Sequence, residues 1–133
     1  MTLFAEILRG CGLSQREAAD FLDVRIDTLK SWGSGRNGAP AGVLAALHEL
    51  SSLQDNAANQ VADIWQANGE PDEIEIGLAS DDYEARTLGW PCVGAHKAVI
   101  RRVWEVLPTD VIIRIVPRGS TVATAAAIDA RGG

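Results

Sequence analysis

Phe4, Ile7, Leu8 and Cys11 recur at helical spacing, and Gly10 and Gly12 interrupt the pattern, which predicts a helix over residues 1–12. Ser14, Gln15, Arg16 and Glu17 form a capping-box sequence, in which Ser14 bonds the amide three residues on and Glu17 reaches back. A second helix follows to about Leu22, then a short turn at Asp23 and Val24. A third runs from about Arg25 to Trp32 and ends at Gly33, Ser34 and Gly35. After a loop through Asn37 and Gly38, Pro40 suits the first turn of a fourth helix. Val43, Leu47, Leu50, Ala57, Val61 and Ile64 step by three and four to about Ala67, with Gln54 the one polar gap. A break near Ser51 or near Asp55 is compatible with this stripe.

The period then changes. Glu73 to Leu78 alternates polar and apolar, as a strand with one wet face does. Ser80, Asp81 and Asp82 cap a short helical turn that Gly89, Trp90 and Pro91 end. A further helix starts near Pro91, with Val93, Ala95, Val99, Ile100, Val103, Trp104 and Leu107 as its apolar set. Asp110 to Val116 is a second strand, and the chain from Arg118 onward is rich in Thr, Ala and Gly and reads as a frayed tail. The fold class is therefore α+β, mostly α. The strand–helix–strand half is too small to hide its own faces, so a partner subunit is expected to cover them.

Length and composition narrow the function. The chain has 133 residues, 47% of them hydrophobic and 23% charged, ordinary values for a globular protein. No run of about 18 apolar residues predicts a membrane span, and Met1 to Glu6 has no basic flank of the kind a signal peptide carries. Two cysteines far apart, Cys11 and Cys92, suit a reducing cytoplasm and neither a disulfide framework nor a zinc site. The net charge of −6 opposes nucleic-acid binding only on average, because residues 51–133 carry most of it and the stretch from Arg25 to Arg36 is locally basic.

Residues Leu13 to Pro40 are the informative stretch: two short helices, a small residue (Ala19) where they cross, a tight turn at Asp23, and inward Val24, Leu29 and Trp32. With Ser14, Gln15 and the basic loop at Gly35, Arg36 and Asn37, this stretch resembles the Cro/repressor-type (XRE-like) helix-turn-helix regulators over about Leu3 to Leu50. It departs from them at Asp23, where glycine is usual, and at Arg25, where a Ser or Thr cap is common. The resemblance implies that Arg25 to Ser31 enters the DNA major groove, with Arg25, Ile26, Asp27, Lys30 and Ser31 facing the bases. Arginine suits the guanine edge and Ile26 a thymine methyl. Asp27 either accepts from cytosine or simply sits on the positive helix N-terminus. Gln15, Arg16, Thr28, Ser34, Arg36 and Asn37 are the candidates for gripping the phosphate backbone, contacts that position rather than specify.

Gly89 and Trp90 before an amphipathic helix, flanked by strands and preceded by this front half, resemble the layout of anti-CRISPR-associated (Aca) and YdiL-like autorepressors. That likeness implies a helix-turn-helix domain (1–50), a helical connector (51–69), an α/β dimerisation domain (70–117) and a flexible tail (118–133). The function it implies is a homodimeric, cytoplasmic repressor on an inverted-repeat operator. The alternative is an antitoxin-type module that binds a toxin and regulates its own operon; RNA binding through the same basic face is a third reading. Cys92 and His96 lie four apart, the spacing of a nucleophile pair on one helix face, but two unrelated residues explain them better. No catalytic residue, cofactor or metal site is expected.

Overall fold

The computed structural model describes residues 2–118. Its helices are α1 (Leu3–Gly10), α2 (Gln15–Leu22), α3 (Ile26–Gly33), α4 (Ala41–Ala67), α5 (Asp82–Thr87) and α6 (Val93–Val106). Two strands, β1 (Glu73–Leu78) and β2 (Ile112–Pro117), pair in parallel, with Glu73 opposite Ile112 and Ile76 opposite Ile115. The protein is thus mixed α+β and mostly helical. No helix among the described residues is long and apolar enough to cross a membrane. The expected tail lies outside the described residues apart from Arg118.

Local chemistry sets the boundaries. The Thr2 hydroxyl accepts from the Ala5 amide and starts α1, and Gly12 adopts φ +76° after it. The Ser14–Glu17 capping box is complete, at 3.1 and 2.9 Å. Asp81 caps α5 by accepting from the Glu84 amide. Pro40 sits at the N-cap of α4, immediately before its first helical residue. α4 runs unbroken through Ser51 and Asp55, so neither polar pair interrupts it.

One apolar core joins the two halves of the chain. Phe4, Leu8, Leu29 and Trp32 belong to the same buried cluster as Val61, Ile76, Val99 and Val103. α6 lies along α4 and over β1. The C-terminal half was expected to need a partner to cover its faces; within the chain, α4 lies along α6 and covers that helix. Trp104, expected in the apolar set of α6, is 60% exposed. The helix buries Ala95, His96, Ala98, Val99 and Val103, and Trp104 falls to the side of that stripe.

The polar gap in the α4 stripe is part of this join. Gln54 is fully buried, and its Nε2 donates to the Cys11 carbonyl (3.0 Å) and to the Ala95 carbonyl (2.9 Å). One side chain on α4 therefore ties the α1–α2 turn to α6. Beside it the backbones of Gly12 and Gly94 approach so closely that a Cβ on Gly94 would stand 2.1 Å from the Gly12 carbonyl oxygen. Arg102 closes the join from the other side. Its guanidinium donates to the Gly10 carbonyl (3.1 Å), the Ser51 hydroxyl (3.1 Å) and the Asp55 carboxylate (2.8 Å).

Candidate nucleic-acid interface

α2 and α3 are joined by one left-handed residue. Asp23 has φ 55° and ψ 49°, which reverses the chain so that the Val24 amide reaches back to the Ala19 carbonyl at 3.0 Å. A non-glycine residue there costs about 1–2 kcal/mol, least for Asp and Asn. Ala18 and Ala19 are buried, and these small side chains let α2 pack closely on α3. Leu29 and Trp32 anchor α3 from beneath, Trp32 edge-on to Phe4 at 5.8 Å. The Thr2 hydroxyl donates to the Gly33 carbonyl at 2.8 Å and fixes the far end of α3 to the start of α1.

The outer side of α3 is wet. Arg25, Asp27, Thr28 and Lys30 are exposed. Arg25 occupies the N-cap in extended conformation and makes no side-chain cap bond, so the amides of the first turn have no side-chain partner there. Ile26 is half-buried and packs on the core while leaving part of its surface outside.

Ser31 requires a correction. Expected to face outward, it is 5% exposed, and its hydroxyl donates to the Thr28 carbonyl at 2.6 Å. The reason is the loop after α3. The Asn37 amide and the Ser34 hydroxyl both donate to the Ser31 carbonyl, at 3.1 and 3.2 Å, so the loop folds back over this flank of the helix.

Ser34, Arg36 and Asn37 are exposed on that loop. The Ser34 hydroxyl is also engaged internally, because it accepts from the Arg36 amide at 3.4 Å. Gly35, at φ +83°, supplies the left-handed turn. Gln15 and Arg16 are exposed in the first turn of α2. The Gln15 Nε2 lies 3.4 Å from where a Cβ on Gly33 would stand, so the start of α2 adjoins the end of α3 and its loop. Gln15, the outer side of α3 and the Ser34–Asn37 loop are thereby gathered in one region of the surface, with Ser31 beneath it.

The residues weighed as a nucleophile pair, Cys92 and His96, are both buried. The Cys92 thiol lies 3.9 Å from the Gly12 carbonyl, and burial pushes its pKa up. The His96 ring is buried, stacks on Trp90 at 6.2 Å, and accepts at Nδ1 from the Ala79 amide at 3.2 Å. Burial lowers its pKa from 6.5 to about 4, with the Arg118 charge acting in the same direction. Burial likewise raises the Cys11 thiol. The sequence reading missed the Gln54, Gly12–Gly94 and Arg102 join that holds this region against α4 and α6. The lone polar residue in the α4 stripe was its only sequence signal.

Comparison with protein-family models, curated proteins and solved structures returns no match to this chain.

Proposed function

We propose that this protein is a sequence-specific DNA-binding repressor acting as a homodimer on an inverted-repeat operator, with its own promoter as a target. The observation that carries the reading is the two-sided character of α3. Leu29 and Trp32 bury its inner side, while Arg25, Asp27, Thr28 and Lys30 stand exposed beside an exposed loop bearing Arg36 and Asn37. A short helix held this way, after a tight turn from a capped helix, has the size and chemistry to lie in the major groove as a helix-turn-helix reader. Arg25 and Lys30 provide donors for guanine and Ile26 an apolar surface for a thymine methyl. Gln15, Arg16, Thr28, Ser34, Arg36 and Asn37 surround that rod as backbone contacts, and Ser31 supports it from beneath. One module contacts only a few base pairs. Two related by a two-fold axis supply the area that specific binding requires, with half-sites about one helical turn, or a multiple, apart. A dimer seated on a promoter excludes polymerase sterically.

Nuclease protection of the upstream promoter tests this reading. The expected result is a protected inverted repeat, with Arg25→Ala weakening that site by roughly 1–3 kcal/mol while leaving random duplex nearly unchanged. Equal losses on both would remove Arg25 from base reading. No protected duplex at modest ionic strength would remove the function.

A further inference from the structure

We infer that the outer edge of β2 pairs with β2 of a second copy of this chain, making a four-stranded sheet across a two-fold axis. The Ile112 amide donates to the Asp72 carbonyl (2.8 Å) and the Arg118 amide to the Leu78 carbonyl (2.9 Å). In a parallel pair the peptide groups of alternate residues point to alternate sides. The even-numbered residues of β2 therefore face β1, and the N–H and C=O groups of Ile113 and Ile115 face the outer edge. Among the described residues the sheet has only these two strands, so no strand lies on that edge. A two-stranded sheet is marginal alone, and parallel sheets are ordinarily covered on both faces.

Side chains point the same way. Ile113 and Ile115 share a face with Ile74 and Ile76, which α6 covers. Cover of β2 is incomplete: Ile113 is half-buried against the core, but Ile115 is 56% exposed. Trp104 and Val106, in the last turns of α6, are also exposed, and Ile112 is exposed on the opposite face of the sheet. An edge strand kept monomeric ordinarily carries a lysine, a proline or an inward charge in its middle. Here the only charge is Arg114, already paired with Glu73 across the sheet, and the proline comes last.

A second copy is the occupant that fits. Antiparallel pairing about a two-fold axis lets Ile113 and Ile115 exchange amide and carbonyl with the same residues of the partner. It also brings the exposed Ile115 of each copy to the same face of the joined sheet. Residues 119–133 contain only Val122 and Ile128 as large apolar residues, too few to cover Trp104, Val106, Ile112 and Ile115.

This inference names the contact for the two-fold pair of the proposed function, yet its test needs no DNA. A chain that dimerises through β2 and ignores duplex DNA would overturn that function and leave this surface standing. The experiment is sedimentation of the full chain with hydrogen exchange followed across a concentration series. The expected result is a dimer in which the Ile113 and Ile115 amides slow as concentration rises. Ile115→Lys, with unchanged circular dichroism, should weaken self-association about 100-fold, and the gentler Ile115→Thr, which keeps the branched strand-forming shape, should weaken it less. Leu3→Lys, on a different exposed apolar residue, should leave the dimer intact. A dimer that survives Ile115→Lys, or whose edge amides exchange equally fast at every concentration, overturns the inference. So does a monomer at all concentrations, and slow edge amides in that monomer would assign the edge to residues 119–133 of the same chain.

Discussion

Replacing a helical glycine with alanine usually stabilises a helix, by about 1 kcal/mol. Gly94→Ala in α6 should do the opposite. The new Cβ would stand 2.1 Å from the Gly12 carbonyl oxygen, more than 1 Å inside ordinary contact. The Cβ position is fixed by its own backbone and the oxygen is a backbone atom, so no flexible side chain can swing aside. Relief requires the α1–α2 turn to retreat from α6, which lengthens the Gln54 bond to Cys11 (3.0 Å) and the Arg102 bond to Gly10 (3.1 Å). Overpacking of this kind costs about 1–3 kcal/mol, and a lost buried hydrogen bond about 1 more. After the gain in helix propensity the net loss is about 1–3 kcal/mol, or roughly 3–5 °C in Tm for each kcal/mol in a chain of this length. Gly42→Ala is the control, since a Cβ there meets nothing within 4 Å in the first turn of α4; it should be neutral or stabilising. Urea unfolding followed by circular dichroism reads both. A Gly94→Ala protein as stable as wild type would refute the close approach of the two backbones.

Three other outcomes follow from named contacts. Gln54→Ala leaves the Cys11 and Ala95 carbonyls without their shared donor and opens a cavity; it should cost about 2–4 kcal/mol in urea unfolding, and a loss under 1 kcal/mol would contradict the tie. His96 is neutral in the folded chain until about pH 4 but takes a proton near 6.5 when unfolded. Its contribution is therefore intact above pH 6.5 and falls as pH drops towards 4, by up to about 1.4 kcal/mol per pH unit. His96→Asn should flatten the difference in unfolding free energy between pH 7 and pH 5, and an equally steep variant would assign that slope elsewhere. Arg36→Ala should weaken binding to every duplex alike and reduce the salt slope by about 1; a loss confined to one sequence would make Arg36 a base reader.

Much of this fold was legible because local chemistry and hydrophobic period agree. Ser14 and Glu17 close their box, Asp23 takes the left-handed turn, and the alternation from Glu73 to Leu78 becomes β1. The misreadings share a cause in tertiary contact. Ser31 lies on a flank of α3 that is outward by spacing alone, until the Ser34–Asn37 loop folds over it. Trp104 looks like core by hydrophobicity, but α6 spends its buried stripe on α4 and β1. Gly12 reads as a helix stop, and nothing local shows that it meets Gly94 across 82 positions of sequence.

The most direct measurement on the central claim is selection of duplexes from a random-sequence pool by the full chain at modest ionic strength, repeated with Arg25→Ala. The account predicts enrichment of an inverted repeat with half-sites about one turn or a multiple apart, and a changed or lost preference at one position of each half-site in the variant. A pool that stays random under the wild-type protein would contradict it.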